Sequence, residues 1–215
     1  MLSVHFASRP EGLRILCLGA HCDDIEIGCG GTIMRLANEH KIRQLKWLVF
    51  TSSAERDAEA RLSAEYFVQR CKEKEIIIKK FKDGFLPYEA AQIKNLFEEL
   101  KSFNPDIIFT HCRHDLHQDH RTICELTWNT FRDHLIFEYE IPKYDGDLGS
   151  PNCFITLEEE VAEKKVETII ECFRSQAGKQ WFDEDTFFSL MRIRGLESAS
   201  PTKYAEGFYV KKSVM

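Results

Sequence analysis

Residues 18–32 read LGAHCDDIEIGCGGT. They follow the first apolar run of the chain and set His21, Asp23, Asp24 and Glu26 just ahead of Gly28, Gly30 and Gly31. Adjacent carboxylates repel, and an apolar core has no use for them. A second polar stretch, THCRHDLHQDHR at 110–121, holds four of the chain's eight histidines together with Asp115 and Asp119. Imidazole nitrogen and carboxylate oxygen are ordinary zinc ligands, and a catalytic zinc takes three of them and leaves a position for water. That chemistry gives paired aspartates a purpose. One carboxylate binds the cation, whose charge offsets the repulsion. The other stays free as a base toward a bound water, whose pKa falls to about 7 in favourable sites.

The elements that must position these residues follow from periodicity. LRILCLG (13–19) reads as a buried strand, with a helix from about Thr32 to His40. LKWLVFT (45–51) is a second strand, and 54–71 a helix with Ala58, Leu62, Tyr66 and Phe67 on one face. EIIIK (75–79), a helix over roughly 88–102, and DIIFT (106–110) continue the alternation. A helix from near Asp119 to Phe131 and a strand LIFEYEI (135–141) come next. PKYDGDLGSPN is a loop by composition, and Thr156 with Glu159 fits a capping box for a helix to about Phe173. WFDEDTFF (181–188) reads as mixed core and surface, and KYAEGFYVKK closes as a strand or packs as an arm. Alternation of this kind predicts an α/β fold, Rossmann-like, a three-layer sandwich with a mostly parallel sheet and helices on both faces. If the strands before the two polar stretches run parallel, both stretches lie at the same sheet edge. The glycine spacing is G-x-G-G, not G-x-G-x-x-G, and two aspartates would repel a pyrophosphate, so a dinucleotide loop is disfavoured.

A length of 215 residues with no repeat or linker suits one domain over 1–215. Lys and Arg total 29 against 35 Asp and Glu, a net charge of −6, and no basic stripe occurs, which argues against nucleic acid as ligand. Eight scattered cysteines without a C-x-x-C pair read as mostly reduced and buried in a cytoplasmic protein. MLSVHFASRP lacks the features of a signal peptide, and no apolar run is long enough for an integral membrane segment.

AHCDDIEIGCGGT and HDLHQDH together resemble the two motifs of the LmbE-like, or PIG-L, family of zinc-dependent N-deacetylases. Arg56 and Glu59 resemble that family's R-x-x-E, FRSQ (173–176) its later Ser/Thr-Gln, and RGLESASPTKYAEGF its C-terminal R-G and Y-A-E-x-F. The resemblance spans roughly residues 13–210. It implies Zn2+ held by His21, Asp24 and His120, with Fe2+ left open. It implies Asp23 as general base, His117 beside the developing oxyanion, Asp119 hydrogen-bonded to His117 to keep it oriented and charged, and Arg56 as a substrate-binding residue. The implied reaction removes acetate from a small N-acetylated amino sugar, such as an N-acetylglucosamine unit, or its conjugate. Homo-oligomer formation is left open.

The chain departs from the family pattern at Cys22, where proline is usual; at Ile25 and Glu26, where Glu directly follows the second Asp; and before His117, where some relatives carry tyrosine. Cys22 is expected to point away from the metal. His111 is expected to hydrogen-bond the loop and His114 to face solvent. Asp115 caps the turn or lines the site. Arg192 and Arg194 either reach the substrate or lie on a solvated helix face. A metallo-β-lactamase-type hydrolase is disfavoured by the βαβ pattern. A non-haem iron(II) protein, another metal-dependent amidohydrolase and a non-catalytic metal-binding domain are the remaining alternatives.

Overall fold

Leu13–Gly19 forms β1, and both of its faces are buried: Ile15 and Cys17 point to one side, Leu16 and Leu18 to the other. Such a strand needs a layer of helices on each face. The computed structural model describes residues 11–39 and 41–214 and supplies both layers. The strands are β1, β2 (Ile42–Thr51), β3 (Glu73–Phe81), β4 (Ile107–His111), β5 (Leu135–Tyr139), β6 (Cys153–Leu157) and β7 (Tyr204–Tyr209). They form one sheet in the order β3-β2-β1-β4-β5-β7-β6. β1 to β5 are parallel, while β7 runs antiparallel to both β5 and β6. Helices α1 (Asp24–Asn38), α2 (Ala54–Phe67), α5 (Glu159–Cys172) and α6 (Glu184–Glu197) cover one face. Helices α3 (Ala90–Leu100) and α4 (Gln118–Thr130) cover the other. The fold is the mostly parallel α/β sandwich that the sequence pattern predicts. No helix among the described residues is long and apolar enough to cross a membrane.

β1 and β4 are neighbours, yet the helices that follow them leave on opposite faces of the sheet. The two loops therefore diverge and open a crevice at the carboxyl ends of the strands, where open α/β sheets bind ligands.

Several expectations need correction. The first helix begins at Asp24, not at Thr32, so the glycines lie inside it. A Cβ on Gly28 would meet the Tyr139 ring at 2.2 Å, and one on Gly31 would meet Leu157 at 2.6 Å. These glycines serve close packing of α1 on the sheet, not a turn. His40 and residues 1–10 lie outside the described residues, and so do the readings made on them. Ala58, Leu62 and Tyr66 of α2 are exposed, and the buried face is Ala60, Ser63, Ala64 and Phe67. Small side chains there let α2 seat closely, which a pattern of large apolar residues does not reveal. Thr156 belongs to β6, where the ladder with β7 claims its backbone, and its hydroxyl accepts from Arg35. Glu158 is the residue at the N-cap of α5, with no side-chain capping bond. WFDEDTFF runs into α6, capped by Asp183 accepting from the Thr186 amide at 2.6 Å. All eight cysteines are free, and seven are buried.

Candidate metal centre

β1 ends at Gly19, and α1 starts at Asp24, with the tight turn between them carrying His21 and Asp23. β4 ends at His111, and α4 starts at Gln118, with His117 as its N-cap. The parallel pairing of β1 and β4 brings both turns to one place. There His21 Nδ1 lies 3.1 Å from His120 Nε2. Asp24 completes the triangle, with Oδ2 3.4 Å from His21 Nδ1 and Oδ1 3.6 Å from His120 Nε2. Ligands bonded to zinc at about 2.0–2.1 Å in a tetrahedron sit roughly 3.3 Å apart, and each of these three pairs of atoms is near that spacing, with Asp24 turning one carboxylate oxygen to each imidazole.

The donor chemistry fits as well. Asp24 is buried, which by itself raises a carboxyl pKa, but His120, His111 and His21 overcome that and hold it well below the usual carboxylate range. His120 Nδ1 lies 2.8 Å from Asp115 Oδ2. A carboxylate there accepts from the Nδ1–H and leaves the Nε2 lone pair aimed at Asp24 and His21. Burial, then the charge of His111, pushes the His120 ring down to about 4, so it is neutral. His21 differs: burial lowers its pKa, but Asp24 and bonds to Asp119 and Asp83 outweigh this and raise it well above the ordinary value. A site that draws a proton onto one of its nitrogens in this way is attractive to a cation.

Asp23 is buried beside this triangle in sequence. Its Oδ1 accepts from Arg56 at 2.7 Å, while Oδ2 has no hydrogen-bond partner among the described residues. Burial raises its pKa against the opposing charge of Arg56. A buried carboxylate oxygen left unpaired is uncommon unless a ligand or water completes it. Arg56 stands on the first turn of α2, which Ser53 caps. Glu59, one turn on, accepts from the Ser175 amide at 2.8 Å and hydroxyl at 2.6 Å, so two of the weaker sequence matches meet in space.

His117 is half-buried, its ring 4.8 Å from that of His21 and 4.6 Å from that of His120. Its Nδ1 accepts from the Asp119 amide at 3.2 Å. Burial and the nearby His21 lower its pKa. The carboxylate of Asp119 turns elsewhere: it accepts from the amides of Gly84 at 2.7 Å and Leu86 at 3.2 Å and lies 3.5 Å from His21 Nε2. The expected bond from that carboxylate to His117 is replaced by this clasp on the β3–α3 loop, because Asp119 in the first turn of α4 faces that loop.

His111 accepts from the Ala20 amide at 2.9 Å, as a residue steadying the loop would, and also lies 3.2 Å from Asp24 Oδ2. His114 is exposed. Asp115 does both things weighed for it, accepting from the His117 amide at 2.8 Å and holding His120. Cys22 points away, its thiol donating to the Thr51 carbonyl at 3.3 Å, and burial pushes the thiol up to about 12. Glu26 is buried in the first turn of α1, its carboxyl raised well above the ordinary value by burial, and it is not among the candidate metal ligands. Arg192 is exposed and donates to the Lys203 carbonyl. Arg194 is neither solvated nor in the crevice. It is buried in a two-bond pair with Glu140 at 2.8 and 2.9 Å, because α6 packs over β7.

Sequence reasoning missed Asp83, whose Oδ1 lies 3.1 Å from His21 Nε2, and Lys143, which lies 3.0 Å from Asp115. Both stand on loops after strands, which is the only signal that could have found them.

The family model described as PIG-L, GlcNAc-PI de-N-acetylase, matches residues 16–131, more than half of the chain. Among solved structures, the N,N'-diacetylchitobiose deacetylase of Pyrococcus horikoshii superposes with a TM-score of 0.73 at 22% identity, over 94% of this chain and 84% of that one. GalB of Pseudomonas putida, a 4-carboxy-2-hydroxymuconate hydratase, gives 0.76 at 16% identity over 94% and 98% of the two chains. The zinc-inhibited form of the teicoplanin deacetylase Orf2 gives 0.68 at 13% identity over 92% and 97%. These likenesses carry the fold, and that one fold serves deacetylases and a hydratase alike. The family model spans both polar turns and the strands that present them, and on that match the chain belongs to the PIG-L family.

Proposed function

We propose that the protein is a Zn2+-dependent hydrolase that removes the acetyl group from an N-acetylated amino sugar or a conjugate of one. The observation that carries this reading is the triangle of His21, Asp24 and His120 donors at 3.1–3.6 Å, with a partnerless buried oxygen of Asp23 next to it in the chain. His21, Asp24 and His120 would hold the ion, which when bound supplies Lewis acidity and an acidified water.

The chain's own residues then divide the proton work. Asp23 Oδ2 is the base that takes the proton of the attacking water, while Arg56 holds Oδ1 and fixes the carboxylate's orientation. Arg56 also gives the crevice a positive group for the substrate's oxygen atoms. Because His117 Nδ1 accepts from an amide, the neutral ring carries its proton on Nε2. That N–H is free to donate to the acetyl oxygen as it gains charge. The proton held by Asp23 passes to the departing nitrogen, and the C–N bond breaks to give acetate and a free amine. Asp119 keeps the β3–α3 loop against the site. Phe85 and Tyr88 on that loop, with Leu116 and Tyr144 on the next two, are exposed apolar side chains available to a sugar face or a conjugate.

The test is acetate and amine release by the zinc-loaded protein from a panel of N-acetylated sugars and conjugates. Asp23→Asn should keep the metal and lose about 10²–10⁴ in kcat, the usual share of a general base. Neither product from any member of the panel would overturn the reading.

A further inference from the structure

Lys143 stands on the loop between β5 and β6, and the mechanism above makes no use of it. Its side chain is only 13% exposed. The ammonium lies 3.0 Å from Asp115 Oδ2, the same oxygen that lies 2.8 Å from His120 Nδ1. It also donates to Asp147 Oδ1 at 2.7 Å, and Asp147 Oδ2 accepts from the Leu116 amide at 2.6 Å. One ammonium thus closes a chain, Lys143 to Asp115 to His120, whose far end is the nitrogen facing Asp24 and His21.

The consequence has a definite sign. A carboxylate behind a ligating imidazole strengthens it as a donor, and changes at such outer partners alter metal affinity. A cation on that carboxylate draws the electron density back. It also adds a positive charge behind a site that would hold another, and both effects act in the same direction. We propose that Lys143 is a positioning residue that acts through Asp115 and His120 to weaken the hold of the site on its divalent cation, leaving the ion more electron-poor than the bare ligand set would. This inference rests on the metal centre proposed above.

A merely structural role predicts the opposite. If Lys143 only ties the β5–β6 loop to the turn before α4, its removal slackens that turn and the metal is held less well. The experiment is zinc affinity, measured by competition with a chromophoric chelator. It uses the metal-stripped full chain as wild type, Lys143→Met and Lys143→Arg, with folding checked by circular dichroism. Lys143→Met should bind zinc about tenfold more tightly. Lys143→Arg, which keeps the charge, should stay near the wild-type value. If Lys143→Met does not fold, Lys143→Gln removes the charge, keeps a polar end, and should show the same tightening. Unchanged or weaker binding in the neutral variants overturns the inference while leaving the metal centre standing. A wild type that binds no zinc overturns the metal centre, and this inference with it.

Discussion

Two buried polar regions lie on either side of α1, and they differ in how completely they are paired. Behind the helix, Lys165 donates to the Ile27 carbonyl at 2.6 Å and to Glu206 at 2.7 Å. Glu206 in turn accepts from the amides of Gly31 at 2.9 Å and Thr32 at 2.7 Å. Every charged atom of that brace has a partner, as buried charge requires. At the front of the same helix, Asp23 keeps an unpaired oxygen, and two imidazole nitrogens converge with a carboxylate. Full pairing marks a structural network, whereas polar atoms left aimed at one point mark a place for a ligand.

Substitution at Asp24 should break the comparison most completely. About one zinc per chain is expected in the wild type by elemental analysis. Asp24→Ala should hold none and release no acetate, with Tm little changed. An Asp24→Ala protein that keeps its zinc would show that the ligand set lies elsewhere. Next in size is the brace. Lys165→Met leaves Glu206 a buried charge with only the Gly31 and Thr32 amides and no counter-ion, and should cost about 3–5 kcal/mol of stability in denaturant melts. The folded fraction should still bind zinc, because the brace touches no candidate ligand. Loss of metal at unchanged stability would mean that the two regions are not separable. The smallest effect belongs to Cys22→Ala, expected to cost about 1 kcal/mol as a buried truncation and to leave zinc content unchanged. A drop in zinc would make the thiol a ligand, against the direction in which it points.

Legibility in the sequence followed how local each feature is. Strands 1 to 5, the alternation of helices and the two polar turns rest on short-range periodicity, and they were readable without a structure. α6 was not, because Ile193 and Leu196 face solvent while Arg194 is buried, which blurs the helical pattern. β6 was hidden because its hydrogen-bond partners lie in β7, some fifty residues later in the chain. The start of α1 was misplaced because glycines that signal a turn by composition are here used for contact with Tyr139 and Leu157.

The sequence by itself determined which residue types gather after the first and fourth strands. Alternation of strands with helices argues that those strands are parallel, and parallel strands present the loops after them at one edge of the sheet; that β1 and β4 are neighbours is a feature of the folded sheet. Only the tertiary structure decided which atom faces which. Asp119 holds the 84–86 loop instead of His117, Asp115 serves His120, Lys143 reaches Asp115 from 28 residues away, and Arg194 is spent on Glu140. Such pairings depend on side-chain direction within a few ångströms, and spacing along a chain carries no information at that scale.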